Sequence, residues 1–426
     1  MKNNIYILLC TVFILLMTGC VGEEDDIFPS SSIERINAFK KEGNSILTNS
    51  QKGWVMEYFA DSESDGFTLL LKFDAPDRVT AACQNYLTNH KYAERSSLYD
   101  IIADDGPVLT FNTYNDVIHL FSDPNLGSYY PLGIGLGGDY EFKIKKQGVD
   151  SIHLKGRKRE TSILLSKFPD GMTWENYFKE LDDLDFYLFS KAGPALTLNT
   201  GVKKYIVTGG YDHIFKIVPE DESESENIVL APFIVTRTGV KFSSTIDLDG
   251  VQFKIMNLSE DKSALVSADN KDIRIMGPDL NYYFYNSKVL WLMDDSQMSA
   301  KLQERFKRFV ESCKSTYKAT QVVVGLKRPV KDGVLSLNTT LTVGRNKIIG
   351  NNNLEIITKD NGKISLEYKG DADANGLAFY NNVDGLKDLI NMISGELLLS
   401  SENTFNPTTI KFQHIQSTDI WFSVSY

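Results

Sequence analysis

Cysteine is scarce, with four residues among 426, at positions 10, 20, 83 and 313. Cys10 and Cys20 belong to an N-terminal leader, so only Cys83 and Cys313 remain for a bridge. Cys313 falls on the apolar face of a periodic helix, where a buried thiol is the ordinary state. Histidine is almost as rare. His90, His119, His153, His213 and His414 are scattered, without His-Glu-x-x-His or any other zinc spacing. His119, His153 and His414 fall within strand patterns. No Gly-x-Ser-x-Gly nucleophile elbow occurs. Positive charge is also in deficit: the formal net charge is −11. A nucleic-acid-binding surface needs a basic footprint, and this chain has none. The first third lacks helices between its strand patterns, which excludes parallel βαβ units there.

What the sequence does have begins with its leader. Lys2 supplies a positive start, and Ile5 to Met17 is a thirteen-residue apolar run. A bilayer core of about 30 Å needs about 20 residues to cross, so this run has signal-peptide length instead. Met17-Thr18-Gly19-Cys20 resembles a bacterial lipobox, with Met17 where leucine is commonest. In that reading residues 1–19 are removed and Cys20 carries acyl chains such as palmitate. Two or more chains anchor stably, since each buried methylene contributes about 0.8 kcal/mol. Residues 20–29 form a lipidated tether. Its acidic tract, Glu23, Glu24, Asp25 and Asp26, reads either as a surface-export signal or as a solvated linker.

Beyond the tether, 24 Phe and 20 Tyr favour strands. Ser31 and Glu34 have capping-box spacing and open a helix that ends before Gly53. Alternating apolar residues then predict strands through Trp54–Tyr58, Phe67–Phe73, Val108–Thr113, Val117–Phe121, Tyr140–Ile144 and on to Leu165. A helix is expected from Met172 to Leu181, another over Leu302–Cys313, and a short one from Val383 to Ser394, stopped by Gly395. The fold class is mainly β: antiparallel barrel- or sandwich-like modules with a few short packing helices. Three regions follow, residues 30–190, 191–295 and 296–426. Each β-rich module is preceded by a helix, which suggests a weak structural repeat.

Several constellations carry two readings. Gly133-Ile134-Gly135-Leu136-Gly137-Gly138 spells a dinucleotide fingerprint. It precedes a strand rather than a helix, so it reads as a loop and no nucleotide is expected. Asp371, Asp373 and Asn375 with Gly376 match the first half of a calcium loop, but position twelve is Asn382. Asp and Asn serve ordinary turns equally well. Tyr282, Tyr283, Phe284, Tyr285 and Trp291 form the densest aromatic stretch. Read as a strand, it places Tyr283 and Tyr285 on one face, either in the core or as a platform for sugar rings. Asp150-Ser151-Ile152 resembles a short O-glycosylation motif, though a turn explains it too. No catalytic set and no cofactor is visible.

Gly53-Trp54-Val55-Met56-Glu57-Tyr58 and the stretch Ser97-Leu98-Tyr99 through Ile102-Ala103-Asp104-Asp105-Gly106-Pro107-Val108-Leu109-Thr110-Phe111-Asn112-Thr113-Tyr114 resemble an uncharacterised family of Bacteroidetes surface lipoproteins. Gly138–Phe142 and Leu154–Gly156 fit the same pattern. The resemblance implies an outer-membrane, surface-exposed accessory role beside a TonB-dependent uptake complex, and brings no catalytic or binding residues. Three functions stay open: a non-catalytic binding protein for a nutrient, glycan or peptide; a structural or adhesive surface protein; and a hydrolase with dispersed carboxylates. An aromatic shelf open to solvent would favour the first, a broad apolar patch the second, and facing carboxylates in a cleft the third.

Overall fold

The computed structural model describes residues 31–426, except 75–76, 105, 127–131, 149, 190–192, 222–226, 329–332 and 360–361. Cys20, Glu23, Glu24, Asp25 and Asp26 therefore lie outside the described residues. The chain is mainly β, built as three consecutive antiparallel barrel-like sheets with short helices.

Helix α1 (Ser32–Leu47) opens the first module with the expected capping box. Ser31 Oγ accepts from Glu34 N, and Ser31 N donates back to the Glu34 carboxylate at 2.9 Å. At its far end the Leu47 carbonyl accepts from Trp54 Nε1 at 2.7 Å, joining the helix to the first strand. Nine strands follow: β1 (Trp54–Phe59), β2 (Gly66–Asp74), β3 (Arg78–Cys83), β4 (Ala93–Leu98), β5 (Asp100–Asp104), β6 (Gly106–Thr110), β7 (Glu141–Gln147), β8 (Ser151–Gly156) and β9 (Ser162–Lys167). Apart from β4 and β5, each pairs with its chain neighbour, and β9 returns to β1, so the sheet rolls almost shut. The one seam lies between β4 and β5. Only Tyr99 separates those strands, so the chain passes directly from the end of one edge strand to the start of the other. The alternation puts Met56, Tyr58, Leu69, Leu71, Phe142 and Leu165 inside.

The predicted strand Val117–Phe121 is instead a turn and a 3-10 turn, His119–Ser122. Asn115 explains the difference: its Oδ1 accepts from Val117 N and Ile118 N, which curls the chain. Val117, Ile118 and Phe121 thereby plug one end of the barrel.

Helix α2 (Trp174–Leu188), N-capped by Thr173, starts two residues later than predicted and runs a further seven. Its length follows from serving two cores. Tyr177, Phe178 and Leu181 cover Val55, Leu70 and Ala82 on the outside of the first barrel. Leu184, Tyr187 and Leu188 enter the core of the next.

That second barrel closes through β10 (Leu196–Asn199), β11 (Lys204–Gly209), β12 (Ile214–Pro219), β13 (Val229–Thr236), β14 (Gly239–Leu248), β15 (Val251–Leu258), β16 (Ala264–Ser267) and β17 (Arg274–Met276). Phe215, Phe233, Phe242 and Phe253 fill its interior, with neighbouring ring centroids 4.6 to 6.3 Å apart. An eight-stranded barrel either packs its centre with side chains or holds one small ligand. Here side chains occupy it, which directs any binding to rims and outer walls.

The third barrel follows helix α3 (Leu280–Asn286) and comprises β18 (Trp291–Met298), β19 (Gln321–Lys327), β20 (Val334–Val343), β21 (Asn346–Lys359), β22 (Lys363–Ala372), β23 (Gly395–Ser400), β24 (Thr409–His414) and β25 (Trp421–Ser425). The boundary drawn at residue 295/296 falls inside β18, which pairs with β25. Helix α4 (Ala300–Tyr317) buries Leu302, Phe306, Phe309 and Cys313, the face its periodicity predicts. A helix not expected from the sequence, α5 (Ala374–Asn382), precedes the one expected over Val383–Ser394, which is α6 (Leu386–Ile393) and ends just before Gly395.

The modules are joined by side chains as well as by the chain. Lys241 pairs with Glu57, Ser243 Oγ donates to the Ser62 carbonyl at 3.1 Å, and Arg237 meets Glu180 at 2.6 Å. The β23–β24 loop of the third barrel sends Phe405 into the core of the second. Asn403 Nδ2 supports it by donating to the Tyr187 carbonyl at 2.8 Å, and Thr404 Oγ1 by donating to Lys262 O at 3.2 Å.

Candidate functional site

The aromatic stretch at 282–285 is helix α3, not a strand, because Asp279 caps it by accepting from Tyr282 N at 3.0 Å. Helical spacing turns Tyr282 outward, 70 % exposed, and buries Phe284 against Trp291 and Phe412. Tyr283 and Tyr285 do not make a shelf. Both pack half-buried on the third barrel's core. The Tyr283 hydroxyl meets that of Tyr426 at 3.1 Å, and burial with that contact pushes its pKa up. Tyr285 Oη accepts from Gly333 N at 2.8 Å under the Arg328 guanidinium, 4.5 Å from the ring centroid. These rings are structural.

The calcium candidates are likewise engaged. Asp373 is the N-cap of α5, accepting from Gly376 N at 2.7 Å and from Asn351 Nδ2 at 2.7 Å. Asp371 accepts from Asn353 Nδ2 at 3.2 Å, and Asn375 donates to Ile349 O at 2.8 Å. The pattern is a strand-to-helix corner tied to an asparagine-rich neighbour. Among the described residues no cluster of His, Cys, Asp and Glu is arranged to hold a metal ion. Cys83 and Cys313 are separate buried thiols, both pushed up to about 12 by burial. Thiols so held are unreactive at neutral pH. Of the strand histidines, His153 and His414 do sit in β8 and β24, whereas His119 does not sit in a strand.

A solvent-open aromatic shelf exists elsewhere, on the segment that plugs the first barrel. The rings of Tyr114, His119 and Tyr140 follow one another with centroids 5.4 and 5.1 Å apart and planes tilted by 32° and 31°. Tyr114 is 73 % exposed and Tyr140 43 %. Neither phenol has a hydrogen-bond partner among the described residues. The support beneath them is rigid. Asn115 N pairs with His119 Nδ1 at 3.1 Å, Asn115 Nδ2 donates to Arg95 O and Ser97 Oγ, and Phe111 N donates to Tyr140 O at 3.2 Å.

The glycine-rich stretch before Tyr140 is the loop expected, and it positions the shelf. Gly138 N donates to Phe121 O at 2.7 Å. A Cβ there would lie 2.0 Å from Tyr58 Oη, so only glycine fits. Asp139 then accepts from Lys158 N and Arg159 N, while its carbonyl accepts from Tyr58 Oη at 3.0 Å. Arg95 of β4 and Asp116 of the plug, paired at 3.2 Å, bring charge of both signs next to Asn115. Successive tilted rings on a fixed base, Tyr114 and Tyr140 exposed and His119 partly so, offer π faces to the C–H face of a ligand, and the free phenols offer hydrogen bonds. No local signal marked this set: Tyr114 and His119 come from a turn, and Tyr140 from a loop beyond the plug.

A family model described as a domain of unknown function (DUF4302) matches residues 24–260. The chain belongs to this family. The DUF4302 match spans the first barrel, and so the shelf, and the second barrel through β15; the third barrel lies beyond it. No curated protein matches the chain. Among solved structures, the beta subunit from DNA polymerase of Streptococcus pyogenes aligns at 11 % identity over 92 % of this chain and 97 % of that one. Its TM-score of 0.16 is too low to bear on this DUF4302 protein's fold or function.

Proposed function

We propose that this protein is a non-catalytic, lipid-anchored surface protein that captures glycan for an outer-membrane uptake system. The Tyr114–His119–Tyr140 shelf carries the reading. A pyranose presents a C–H face with slight positive charge, which aromatic π faces attract, and a hydroxyl edge that phenols and an ion pair such as Arg95–Asp116 can meet. Packed barrel interiors leave the rim as the place for such contact. The leader supports the location: a signal-length apolar run, the lipobox-like Cys20 and the acidic tract Glu23–Asp26 suit an acylated protein exported to the cell surface. In this reading a TonB-dependent transporter is the partner.

Two results test the two halves. A glycan screen on the soluble Ser31–Tyr426 fragment should yield a ligand whose binding weakens at least about tenfold in Tyr114→Ala/Tyr140→Ala. Thermal stability should move little, since exposed substitutions usually stay within about 0.5 kcal/mol. Binding indifferent to the double substitution removes the shelf as the site. For the anchor, Cys20→Ser should abolish labelling by a fatty-acid probe in growing cells. Undiminished label on the variant overturns the lipoprotein reading.

A further inference from the structure

The wall of the third barrel is interrupted where β18 meets β25. Pairing runs Leu292↔Ser425 and Met293↔Val424, then jumps to Met298↔Phe422. Asp294 to Gln297 are left out of the ladder, and Ser423 has no partner across that side, although β24 still pairs with it through Lys411. Outside this gap lies a groove of about 620 Å³, walled by the bulge on one side and by the β23–β24 loop on the other. That volume is in the range of small-molecule sites, about 300–1,000 Å³.

Every lining residue but Val424 is polar, although carbon atoms make up nearly half of the lining surface, and several of the polar side chains are unused. Among the described residues, the side chains of Gln297, Ser400, Glu402, Thr409, Ser423 and Ser425 make no hydrogen bond to protein. Ser423 is buried and the other five are open to solvent, so a ligand entering the groove exchanges their water for its own hydrogen bonds. The frame around them is fixed. Ser401 Oγ donates to Asn403 O and Thr409 O, and Lys411 is held 4.8 Å over the Trp421 ring. Asp294 is braced by Ser296, whose N–H and Oγ both bond its Oδ1 at 2.8 Å.

We propose that this groove is a second ligand site, distinct from the shelf, and that it takes a neutral sugar. Hydroxyls and a primary amide both donate and accept, which matches a ligand whose rim does the same at every carbon. Two carboxylates, Asp294 and Glu402, against one cation, Lys411, disfavour an anion. Asp294 is held below the usual carboxylate range by its bonds from Ser296, so it stays an acceptor and not a proton donor.

The test titrates the full-length chain, in detergent, with maltotriose and with triacetylchitotriose by calorimetry and ligand-observed NMR. One or both should bind saturably. Ser423→Val, which keeps shape and removes the hydroxyl, and Gln297→Leu should each weaken that binding at least about tenfold. Tyr114→Ala/Tyr140→Ala should leave this event unchanged, so loss of the shelf and loss of the groove read out separately. If Ser423→Val does not fold, Glu402→Gln, on the exposed loop, serves in its place. Saturation by neither sugar, binding indifferent to all groove substitutions, or saturation by citrate instead overturns the proposal.

Discussion

Phe405→Ala is expected to cost about 3–5 kcal/mol, the range for removing a fully enclosed phenylalanine ring. Phe405 is 1 % exposed, and its ring sits 6.1 Å from that of Tyr187 within the second barrel's core. It is the third barrel's contribution to a core not its own. Its neighbours leave little room to collapse into the space. Gly277 already lies against the Thr404 carbonyl, and Asn403 Oδ1 fixes the turn by accepting from Phe405 N and Asn406 N. In domains of this size the loss corresponds to a fall on the order of 10 °C in melting temperature of the second barrel. The third barrel keeps its own core of Trp291, Leu337, Leu397 and Phe412. The two should therefore unfold in separate steps in the variant, read by calorimetry, with earlier proteolysis near residue 404. A melting temperature within about 1 °C of the parent would show that the ring carries no such weight.

The second large effect is a dependence on pH at the joint between the first two barrels. His213, just before β12, donates through Nε2 to Asp185 Oδ1 of α2 at 3.1 Å. Asp65, from the β1–β2 turn, is buried and accepts from Tyr86 Oη at 3.1 Å, and Asp212 lies close enough to repel it. Burial pushes the Asp65 carboxyl up to about 6, against the pull of the His213 charge. Burial works against charged His213 too, but the Asp185 hydrogen bond and the Asp185 and Asp65 charges outweigh it, leaving its pKa raised.

Both shifts act in the same sense. A raised carboxyl means that the folded chain holds a proton the unfolded chain has released, so stability falls as pH climbs from about 4 to about 6. The raised histidine adds stability below its unfolded value of about 6.5, and this is lost as pH rises through its folded value. For Asp65 alone the change is at most about 3 kcal/mol. Urea unfolding of the parent across this range should show the decline. Asp65→Asn should flatten the part below pH 6 and also reduce the part set by His213, which then keeps only the Asp185 hydrogen bond and charge. An unaltered slope in the variant would remove Asp65 as its source.

Strand positions were legible because one-sided burial writes period-two alternation into the sequence, as at Trp54–Tyr58 and Phe67–Phe73. The capping box at Ser31 and Glu34 was legible because it is a contact over three residues. Tyr282–Tyr285 misled for a physical reason. Four consecutive aromatics satisfy either period, and only Asp279 before them carries the helical signal. The Asp371–Gly376 spelling was ambiguous in the same way, since a helix cap and half a calcium loop ask for the same side chains. The shelf, the groove and the His213 joint were beyond reach. Each is assembled from elements that only the closing of a barrel or the docking of one on another brings together.

The pairing order of the three sheets also governs how the chain can reach its structure. Within each unit every strand but those at the β4/β5 seam pairs with its neighbours in sequence, and one distant pairing completes it: β1 with β9, β10 with β17, β18 with β25. Local hairpins form within about 1–10 μs, and the entropy of bringing distant ends together grows only slowly, by about 0.6 kcal/mol for each doubling of the loop. A polypeptide emerging residue by residue can therefore zip from its N-terminus, strand upon strand, and complete one unit before the next is released. Phe405 is the exception to this order. The second barrel is covalently finished at Met276, yet its core stays short of one ring until the β23–β24 loop arrives. A chain halted before that loop would present an almost complete barrel with an open apolar end, a surface for chaperones or for proteases to find.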